Sequence, residues 1–185
     1  HGIKNVRVLD RTFNYNNKRA KELLHLFREY APDICFHLEI HPALLSEELK
    51  EELAILPNGL LHLEAGIQSL REPVLEKSRR IGKLSDALQG MKYLCSLKNM
   101  ETHADLIAGL PLYHLSEIFE DVRTFAEYGA GEIQLESLKL LPGTEMRRRA
   151  EELGIQYSPL PPYEVLQTKE ISVEELQTSH YLSRL

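Results

Sequence analysis

A chain of 185 residues has room for one domain, or a large piece of one, with a substantial core. The apolar fraction of 43% and the charged fraction of 27% are ordinary for a globular protein, and a net charge of −6 without a basic block argues against a nucleic-acid partner. No apolar run reaches the ~20 residues that span a bilayer, and the polar start is not a signal peptide, so we expect a cytoplasmic protein without a membrane span.

The apolar pattern alternates between a period of two and a period of 3.6 residues, which predicts alternating strands and helices. The predicted strands are Asn5–Asp10, Asp33–Ile40, Gly59–Ile67, Glu101–Gly109 and Gly131–Leu141. The predicted helices are Asn17–Tyr30, Ser46 to before Pro57, Glu72–Lys77, Ser85–Leu97, Ser116–Tyr128, Thr144–Leu153 and Val173–Leu182, the last with Ser172 as its cap. The proline-rich stretch Tyr157–Leu166 is predicted to be irregular, and we divide the chain there into a barrel (residues 1–156) and a tail with a C-terminal helix (residues 157–185).

Five successive βα units predict an α/β fold with a parallel sheet. Open doubly wound sheets and (β/α) barrels both have this element order. No Gly-x-Gly-x-x-Gly or Gly-Lys-Ser/Thr loop follows any strand, which argues mildly against an open nucleotide-binding sheet. The first strand begins almost at residue 1, and we therefore expect a fragment of a longer protein.

Polar side chains alternate with apolar ones in four of the predicted strands. Because residues two apart share a face of a strand, the following residues are predicted to line one face of the sheet: His37, Glu39, His62, Glu64, His103, Asp105, Glu132, Gln134 and Glu136. One interpretation is a sheet whose polar face is in water. We favour a barrel with helices outside, because the polar face then lines a lumen that holds a polar ligand and pairs its charges.

The His and acidic residues of this face also suit a metal-dependent hydrolase, since imidazole and carboxylate are ligands of zinc and iron. Against this second hypothesis, no strand ends in the His-x-His that such barrels often use. A third hypothesis is a non-catalytic binding module. Cys35 and Cys95 fit neither a disulfide framework nor a C-x2-C metal site, and we expect both to be buried, inert thiols.

Several segments, in their order and spacing, resemble the catalytic barrel of radical S-adenosylmethionine (SAM) enzymes. They are "VRVLDRTFN", "FHLEI", "GLLHLEAGIQS", "HADLIAGLP", "LKLLPGTEMR" and "YSPLPPYEVL", and they extend from Val6 to Leu166. Within that superfamily they resemble the branch whose longer members carry an upstream cobalamin-binding domain, the group that is similar to the anaerobic Mg-protoporphyrin IX monomethyl ester oxidative cyclase. Each motif is weak alone, and the ordered set is fairly specific.

The resemblance implies a partial TIM-like barrel, in which these strands are the second to sixth of a (β/α)6 barrel. It implies that Asp10 lies where the family's Gly-Gly-Glu binds the methionine amino group, although "LDR" departs from that motif. Glu64 would contact the ribose or amino group of SAM, with Gln68 and Ser69 nearby. The remaining implied contacts, all to adenine, are Ile107, Gly109, Leu140 and Leu141. In "HLEAGIQS" we expect Gly66 to end the strand and let the chain turn, so that Gln68 and Ser69 begin the loop at the ligand-binding rim.

The family also needs a C-x3-C-x2-C loop, whose three thiolates hold a [4Fe–4S] cluster and leave one iron for SAM. Cys35 and Cys95 are far apart, and neither lies in such a loop. The resemblance therefore implies a piece that is inactive alone. Its parent would use the reduced cluster to cleave SAM to a 5′-deoxyadenosyl radical, for an oxidative cyclase or methyltransferase-like reaction on an unknown substrate.

The first strand of the fragment would lack a neighbour on one side. An unpaired strand edge invites pairing with another chain. We therefore predict self-association through Val6–Asp10.

Overall fold

The computed structural model describes residues 2–80 and 82–182. In this part of the chain five strands form one parallel sheet. They are β1 (Asn5–Arg7), β2 (Cys35–Ile40), β3 (Leu61–Gln68), β4 (Glu101–Ala108) and β5 (Glu132–Ser137). Two short strands, β6 (Gln156–Tyr157) and β7 (Val165–Gln167), pair antiparallel.

Helices connect the strands of the sheet, and three more follow β5 in the described part of the chain. They are α1 (Asn17–Tyr30), α2 (Glu47–Ala54), α3 (Glu72–Lys77), α4 (Leu84–Ser96), α5 (Leu115–Tyr128), α6 (Glu145–Arg148), α7 (Ala150–Leu153) and α8 (Val173–Leu182). Two 3-10 turns, Phe13–Tyr15 and Pro42–Leu44, follow β1 and β2. In residues 2–80 and 82–182, no helix is both long and apolar enough to cross a bilayer.

The order of the strands decides between the two predicted architectures. They lie in the sheet in chain order, β1-β2-β3-β4-β5. A doubly wound sheet reverses its strand order at a switch point, whereas a (β/α) barrel adds each strand beside the previous one. The fold is therefore the predicted partial (β/α) TIM-like barrel of five parallel strands.

The predicted alternation of polar and apolar residues is present in the strands. In β3, Leu61, Leu63, Ala65 and Ile67 are buried, and the residues between them are half-buried. The same pattern runs through β2 and through β4 after its first residue. The apolar sets pack into the core, which leaves one face of the sheet for polar side chains.

The chain divides into two compact units, and their boundaries fall at the end of β3 and inside β4, α5 and β5. The first unit comprises His1–Ile67, Gly82–Ala104 and Phe125–Glu132. Its core includes Leu24, Leu49 and Met91. Helix α4 lies against the 3-10 turn at Pro42, where a side chain at Gly90 would collide with the Pro42 carbonyl group.

The second unit comprises Gln68–Ile81, Asp105–Thr124 and Ile133–Leu185. Its core includes Leu106, Ile118 and Leu176. The segment after β5 joins two strands: Leu138 N–H donates to Ala108 O at 2.9 Å, and Val165 N–H donates to Leu138 O at 2.9 Å. Ser172 caps α8 as predicted, since its Oγ accepts from Glu175 N–H at 3.3 Å.

Four predictions about the elements were wrong in detail. The fifth strand, predicted to extend to Leu141, ends at Ser137. The first strand ends at Arg7, because only three residues pair with β2. The predicted helix Thr144–Leu153 is two helices, since Arg149 between them has φ −98° and ψ 9°. The proline-rich stretch, predicted to be irregular, contributes to the β6–β7 pair, whose strands of two and three residues are too short to show a period in the sequence. The domain boundary at residues 156–157 stays a prediction.

Candidate functional site

The polar residues of β2 and β3 form two matched rows in the first unit. In the parallel register His37 lies beside His62, and Glu39 lies beside Glu64. The sequence predicted that each of these two strands carries a His and a Glu on one face. The register places the two histidines side by side and the two glutamates side by side. These side chains are half-buried rather than fully solvated. A ligand can therefore contact them, and a polar group that is partly removed from water favours a ligand that offers it a hydrogen bond.

Glu64 is held by two donors. Arg7 Nη2 donates to Glu64 Oε2 at 2.8 Å, and His37 Nε2 lies 2.7 Å from the same oxygen. Arg7 also approaches Glu39 Oε1 at 3.7 Å. Because a carboxylate only accepts, His37 carries its proton on Nε2. One cation, Arg7, therefore balances two carboxylates on this face, and Arg7 was not among the residues predicted to line it.

The histidine row continues to β4. The rings of His37 and His62 stack with centroids 4.7 Å apart, and His62 Nε2 lies 2.8 Å from His103 Nε2. His103 Nε2 is also 2.7 Å from Glu132 Oε2. Only one of the two facing nitrogens, His62 Nε2 and His103 Nε2, donates in their contact, and the other accepts.

The surroundings of His62 favour its neutral form. Burial lowers the pKa of His62, and the neighbouring His103 and His37 lower it further, against the carboxylates of Glu101 and Glu132. Its Nδ1 faces Glu101 Oε2 at 3.7 Å. The row thus contains imidazoles in different roles, and protonating all of them would bring positive charges together.

The metal-dependent hydrolase finds no geometric support in these residues. Within residues 2–80 and 82–182, no three His, Cys, Asp or Glu side chains are arranged to hold a metal ion. The ring nitrogens of the row point at each other and at carboxylates instead of at one common point. Cation binding here would first require these contacts to break.

The two cysteines do not fit an iron–sulfur cluster. Cys95 is buried as expected, but Cys35 is only half-buried, because it is the first residue of β2 and lines a cavity of about 380 Å³. His62 and Glu101 line the same cavity, and so do Asn58 and Gly59 of the turn before β3. Burial raises the pKa of both thiols. Two separate thiols cannot supply the three thiolates of a SAM-binding cluster, so this chain alone does not fit that group.

The predicted site residue Asp10 lies beyond the end of β1. It is half-buried, and Arg19 Nη1 donates to its Oδ2 at 2.8 Å. Arg19 belongs to the first turn of α1, whose N-terminal cap is Asn16. Asp10 is therefore tied to the start of this helix.

Three further predicted lining residues belong to the second unit. Asp105 interacts electrostatically with Arg80, a half-buried side chain whose pKa is lowered by burial. Gln134 Nε2 donates to Glu136 Oε1 at 3.1 Å, and Lys139 Nζ donates to Glu136 Oε2 at 3.1 Å. The bond from Lys139 is the main cause of the lowered pKa of Glu136. Each acid here has a basic partner.

The turn after β3 is not made by Gly66, and this expectation was wrong. Gly66 continues the strand, which ends at Gln68. Gln68 itself has φ 77°, in the left-handed region that non-glycine residues rarely adopt. Ser69, which follows, is fully buried, and its Oγ accepts from Arg71 N–H at 3.1 Å.

Sequence reasoning missed a buried cluster around Asp121, which we call the Asp121 network (Ser69, Leu70, Arg71, Tyr113 and Asp121). Asp121 is 1% exposed. Its Oδ2 accepts from Leu70 N–H at 2.7 Å and from the Tyr113 hydroxyl at 2.6 Å, and its Oδ1 accepts from Arg71 Nη2 at 2.8 Å. A signal existed, because Asp121 occupies the apolar stripe of α5 between the buried Ile118 and Phe125.

Burial governs the ionisation of this network. It raises the pKa of Asp121, against the lowering effect of the hydrogen bonds and of Arg71. Burial also raises the pKa of Tyr113, and the adjacent Asp121 charge adds to that effect. The phenol is therefore a permanent donor to the carboxylate.

The residues predicted to pack on adenine differ in accessibility. Ile107 lies half-buried on the polar face of β4. Gly109 has φ 86° and is covered, since a Cβ there would lie 3.3 Å from Val165 Cγ1. Leu140 is 1% exposed, whereas Leu141 is 51% exposed. Ile107 and Leu141 are thus the two members of this set with apolar surface to offer.

The fold is similar to that of solved radical SAM enzymes. TsrM from Kitasatospora setae, a radical SAM methyltransferase with cobalamin and a [4Fe–4S] cluster bound, matches with a TM-score of 0.68 at 20% identity, over 94% of this chain and 37% of TsrM. HemN from Escherichia coli, a coproporphyrinogen III oxidase, matches with a TM-score of 0.56 at 17% identity, over 76% of this chain and 38% of HemN. SuiB from Streptococcus suis, bound to S-adenosylmethionine, matches with a TM-score of 0.58 at 14% identity, over 80% of this chain and 35% of SuiB.

No protein-family model matches the sequence, and no curated protein is significantly similar to it. The chain spans little more than a third of the length of these three enzymes. At these identities the likeness shows the fold alone, a partial (β/α) barrel similar to part of the barrel in these enzymes.

Proposed function

We propose that this chain is part of a radical SAM enzyme and supplies the second to sixth strands of its barrel. The observation that carries the proposal is the pair of matched rows, His37 beside His62 and Glu39 beside Glu64, in a fold shared with radical SAM enzymes. An ordinary TIM barrel fills its interior with Val, Ile and Leu, so a half-buried polar face indicates a polar ligand. If the polar face of the sheet binds a ligand inside the barrel, these residues line its lumen.

The residues of the polar face suit SAM. SAM carries a positive sulfonium, an amino group and ribose hydroxyls, and a half-buried carboxylate accepts hydrogen bonds from the latter two. Glu64 provides that carboxylate, and the bonds from Arg7 and His37 fix its orientation. SAM and a reduced cluster would together supply the radical chemistry, and the protein would supply binding and orientation.

The sequence resemblance implies a set of SAM contacts, and the structure places each of them in one of the two compact units. Asp10 and Glu64 belong to the first unit, and Gln68, Ser69, Ile107, Gly109, Leu140 and Leu141 belong to the second. Gln68, Ile107 and Leu141 have accessible surface for such a contact. We assign the polar contacts to Glu64 and Gln68, and the apolar contacts to Ile107 and Leu141.

We infer that the cluster ligands lie elsewhere in a longer parent and that this chain is inactive alone, since Cys35 and Cys95 cannot hold the cluster. We further propose that the parent belongs to the branch that carries an upstream cobalamin domain and performs an oxidative cyclase or methyltransferase-like reaction. The resemblance of the segments and the cobalamin in the TsrM structure support this branch. Cytoplasmic location and self-association through β1 stay predictions, the latter supported by the 91% exposure of Leu9 just beyond that strand.

The test has a genetic and a binding part. The codons upstream of this segment should encode C-x3-C-x2-C. In the parent protein, Glu64→Gln should weaken SAM binding by roughly ten- to a hundredfold, because a hydrogen bond to a charged group is lost. Isothermal titration calorimetry under anaerobic conditions measures the dissociation constant.

Glu51→Gln is the matched control, because it makes the same charge change at an exposed residue of helix α2, outside the polar row. Its SAM affinity should equal that of the wild type. A parent without the three-cysteine segment, or a Glu64→Gln variant that binds SAM normally, would overturn the proposal.

A further inference from the structure

Strained backbone occurs in the second unit just where two strands end. Gln68, the last residue of β3, has φ 77°, and Leu112, four residues beyond β4, has φ 66°. Neither is glycine, and a non-glycine residue in this region costs about 1 kcal/mol or more. We call the two segments, residues 68–71 and 109–113, the rim loops. Loops at the carboxyl ends of the strands form the active sites of (β/α) barrels.

One carboxylate fixes both rim loops. Asp121 Oδ2 accepts from Leu70 N–H in the first loop and from the Tyr113 hydroxyl in the second. Leu70 lies two residues after Gln68, and Tyr113 directly follows Leu112. Each strained residue therefore lies within two residues of a hydrogen bond to Asp121.

Arg71 completes the attachment. Its Nη2 donates to Asp121 Oδ1 at 2.8 Å and to Glu120 Oε2 at 2.6 Å, so both carboxylate oxygens of Asp121 are engaged. The main chain of Arg71 is held in turn by Ser69 Oγ. Ser69 is fully buried and is thus used inside the Asp121 network, whereas the neighbouring Gln68 is half-buried and has surface that a ligand can contact.

A buried carboxylate contributes little net free energy to folding. The desolvation of a charge often exceeds the gain from its pairing, and an apolar group of similar size is frequently as stabilising. What a carboxylate offers in addition is several acceptor sites in fixed directions, which hold three donors from two loops at once. The combination of a buried charge with two strained positions indicates that a particular loop geometry is being specified.

We propose that Asp121 is a positioning residue that holds both rim loops in their ligand-binding geometry. The inference rests on the proposed function, since it takes SAM as the ligand that Gln68 and Ile107 meet. Asp121 itself touches no ligand. It acts through the Leu70 amide and the Tyr113 hydroxyl, and it thereby keeps Gln68 at φ 77°.

Asp121→Asn tests the inference with a side chain of the same shape. The amide has a single oxygen, so it cannot accept from all three donors, and its NH2 group would face Arg71 or Leu70 as a second donor. Tyr113→Phe is the milder variant, because it removes only the bond to the second rim loop. Tyr93→Phe is the control: it removes a phenol that donates to Lys50 O at 2.5 Å in the first unit.

Two measurements on the folded variants separate positioning from general stability. Amide hydrogen exchange should speed up by about tenfold or more at Leu70 and Tyr113 in Asp121→Asn, and in Tyr113→Phe only in residues 109–113. In the parent protein, the SAM dissociation constant should rise about tenfold in Asp121→Asn and remain unchanged in Tyr93→Phe.

Unchanged exchange in both rim loops of Asp121→Asn would overturn the inference, and so would equal acceleration in Tyr93→Phe. If Asp121→Asn does not fold, the exchange pattern of Tyr113→Phe decides, since unchanged exchange in residues 109–113 would overturn the inference. If the wild-type parent protein does not bind SAM, the proposed function fails, while the exchange data still decide whether Asp121 holds the loops.

Discussion

The two polar clusters of this chain use charge in opposite ways. In the first unit the polar row on β2, β3 and β4 is half-buried, and most of its members are imidazoles and carboxylates that share partners, as Arg7 and His37 share Glu64 Oε2. In the second unit the Asp121 network is closed, with a carboxylate that is 1% exposed and accepts through both oxygens. In the first cluster a contact between side chains can be replaced by a contact from solvent or a ligand. In the Asp121 network, loss of one hydrogen bond leaves a buried polar group without a partner.

This difference separates two roles that polar residues have in a barrel. A half-buried row loses little when one contact is replaced, because water and neighbours compensate. A buried, fully bonded carboxylate leaves several donors unsatisfied when it is removed. We therefore expect substitutions in the first cluster to affect binding and pH response, and substitutions in the second to affect folding and loop geometry.

The largest effect should come from Asp121→Ala. It leaves the Tyr113 hydroxyl, the Leu70 amide and the Arg71 guanidinium without their acceptor in the core, and removal of one partner of a buried pair costs about 3–5 kcal/mol of unfolding free energy. Urea unfolding followed by circular dichroism measures the loss. Tyr113→Phe, which removes one donor, should cost about 1–3 kcal/mol. A loss below about 1 kcal/mol for Asp121→Ala would show that water reaches this site and would remove the contrast between the clusters.

The fold was predictable from the sequence where its determinants are local. The periods of β2, β3 and α1 depend on neighbouring residues, and the caps Ser46 and Ser172 lie at the starts of their helices. The break at Arg149 and the β6–β7 pair depend on contacts with distant residues, as when Arg147 stacks 5.1 Å from the Tyr157 ring and 4.8 Å from the Tyr163 ring. The periodicity of neighbouring residues cannot predict contacts of this kind.

The same distinction applies to the candidate site. The polar row was predictable because residues two apart share a face, so each strand displays its own His and Glu. The Asp121 network was missed because Asp121 and Leu70 are 51 residues apart in the chain. Gly66 was taken for the turn because glycine tolerates positive φ, whereas the turn occurs at Gln68. A tertiary network that stabilises a strained residue overrides the local preference.

The next largest effect concerns pH, and the two clusters should respond with opposite sign. Burial and the neighbouring imidazoles lower the pKa of His62, so below the ordinary value of about 6.5 the unfolded chain binds more protons than the folded one. His62 should therefore cost stability as the pH falls from about 7.5 to 5. Burial raises the pKa of Asp121, so the folded chain holds that proton more tightly, and the contribution of Asp121 decreases as the pH rises above about 4.

Unfolding midpoints in urea at several pH values would resolve the two contributions. His62→Gln should reduce the loss of stability on acidification, and Asp121→Asn should remove the decline in stability that the Asp121 carboxyl group causes as the pH rises above about 4. His114→Gln, at an exposed residue, is the control for the first comparison. If His62→Gln and His114→Gln show the same pH dependence, the histidine row does not resist protonation and the two clusters do not differ in this respect.

The smallest effect should come from Arg7→Ala. The Arg7 side chain is 57% exposed although it contacts both Glu39 and Glu64, and exposed ion pairs contribute about 0–1 kcal/mol. We expect a change in unfolding free energy within about 1 kcal/mol that shrinks further in high salt, because screening weakens charge pairs that are open to solvent. Arg7→Lys keeps the charge and should lie closer to the wild type, with a difference set by the lost planar donor geometry. A loss of about 3 kcal/mol or more that does not depend on salt would mean that the first cluster is as closed as the Asp121 network, and Glu64 would then not be free to exchange Arg7 for a ligand.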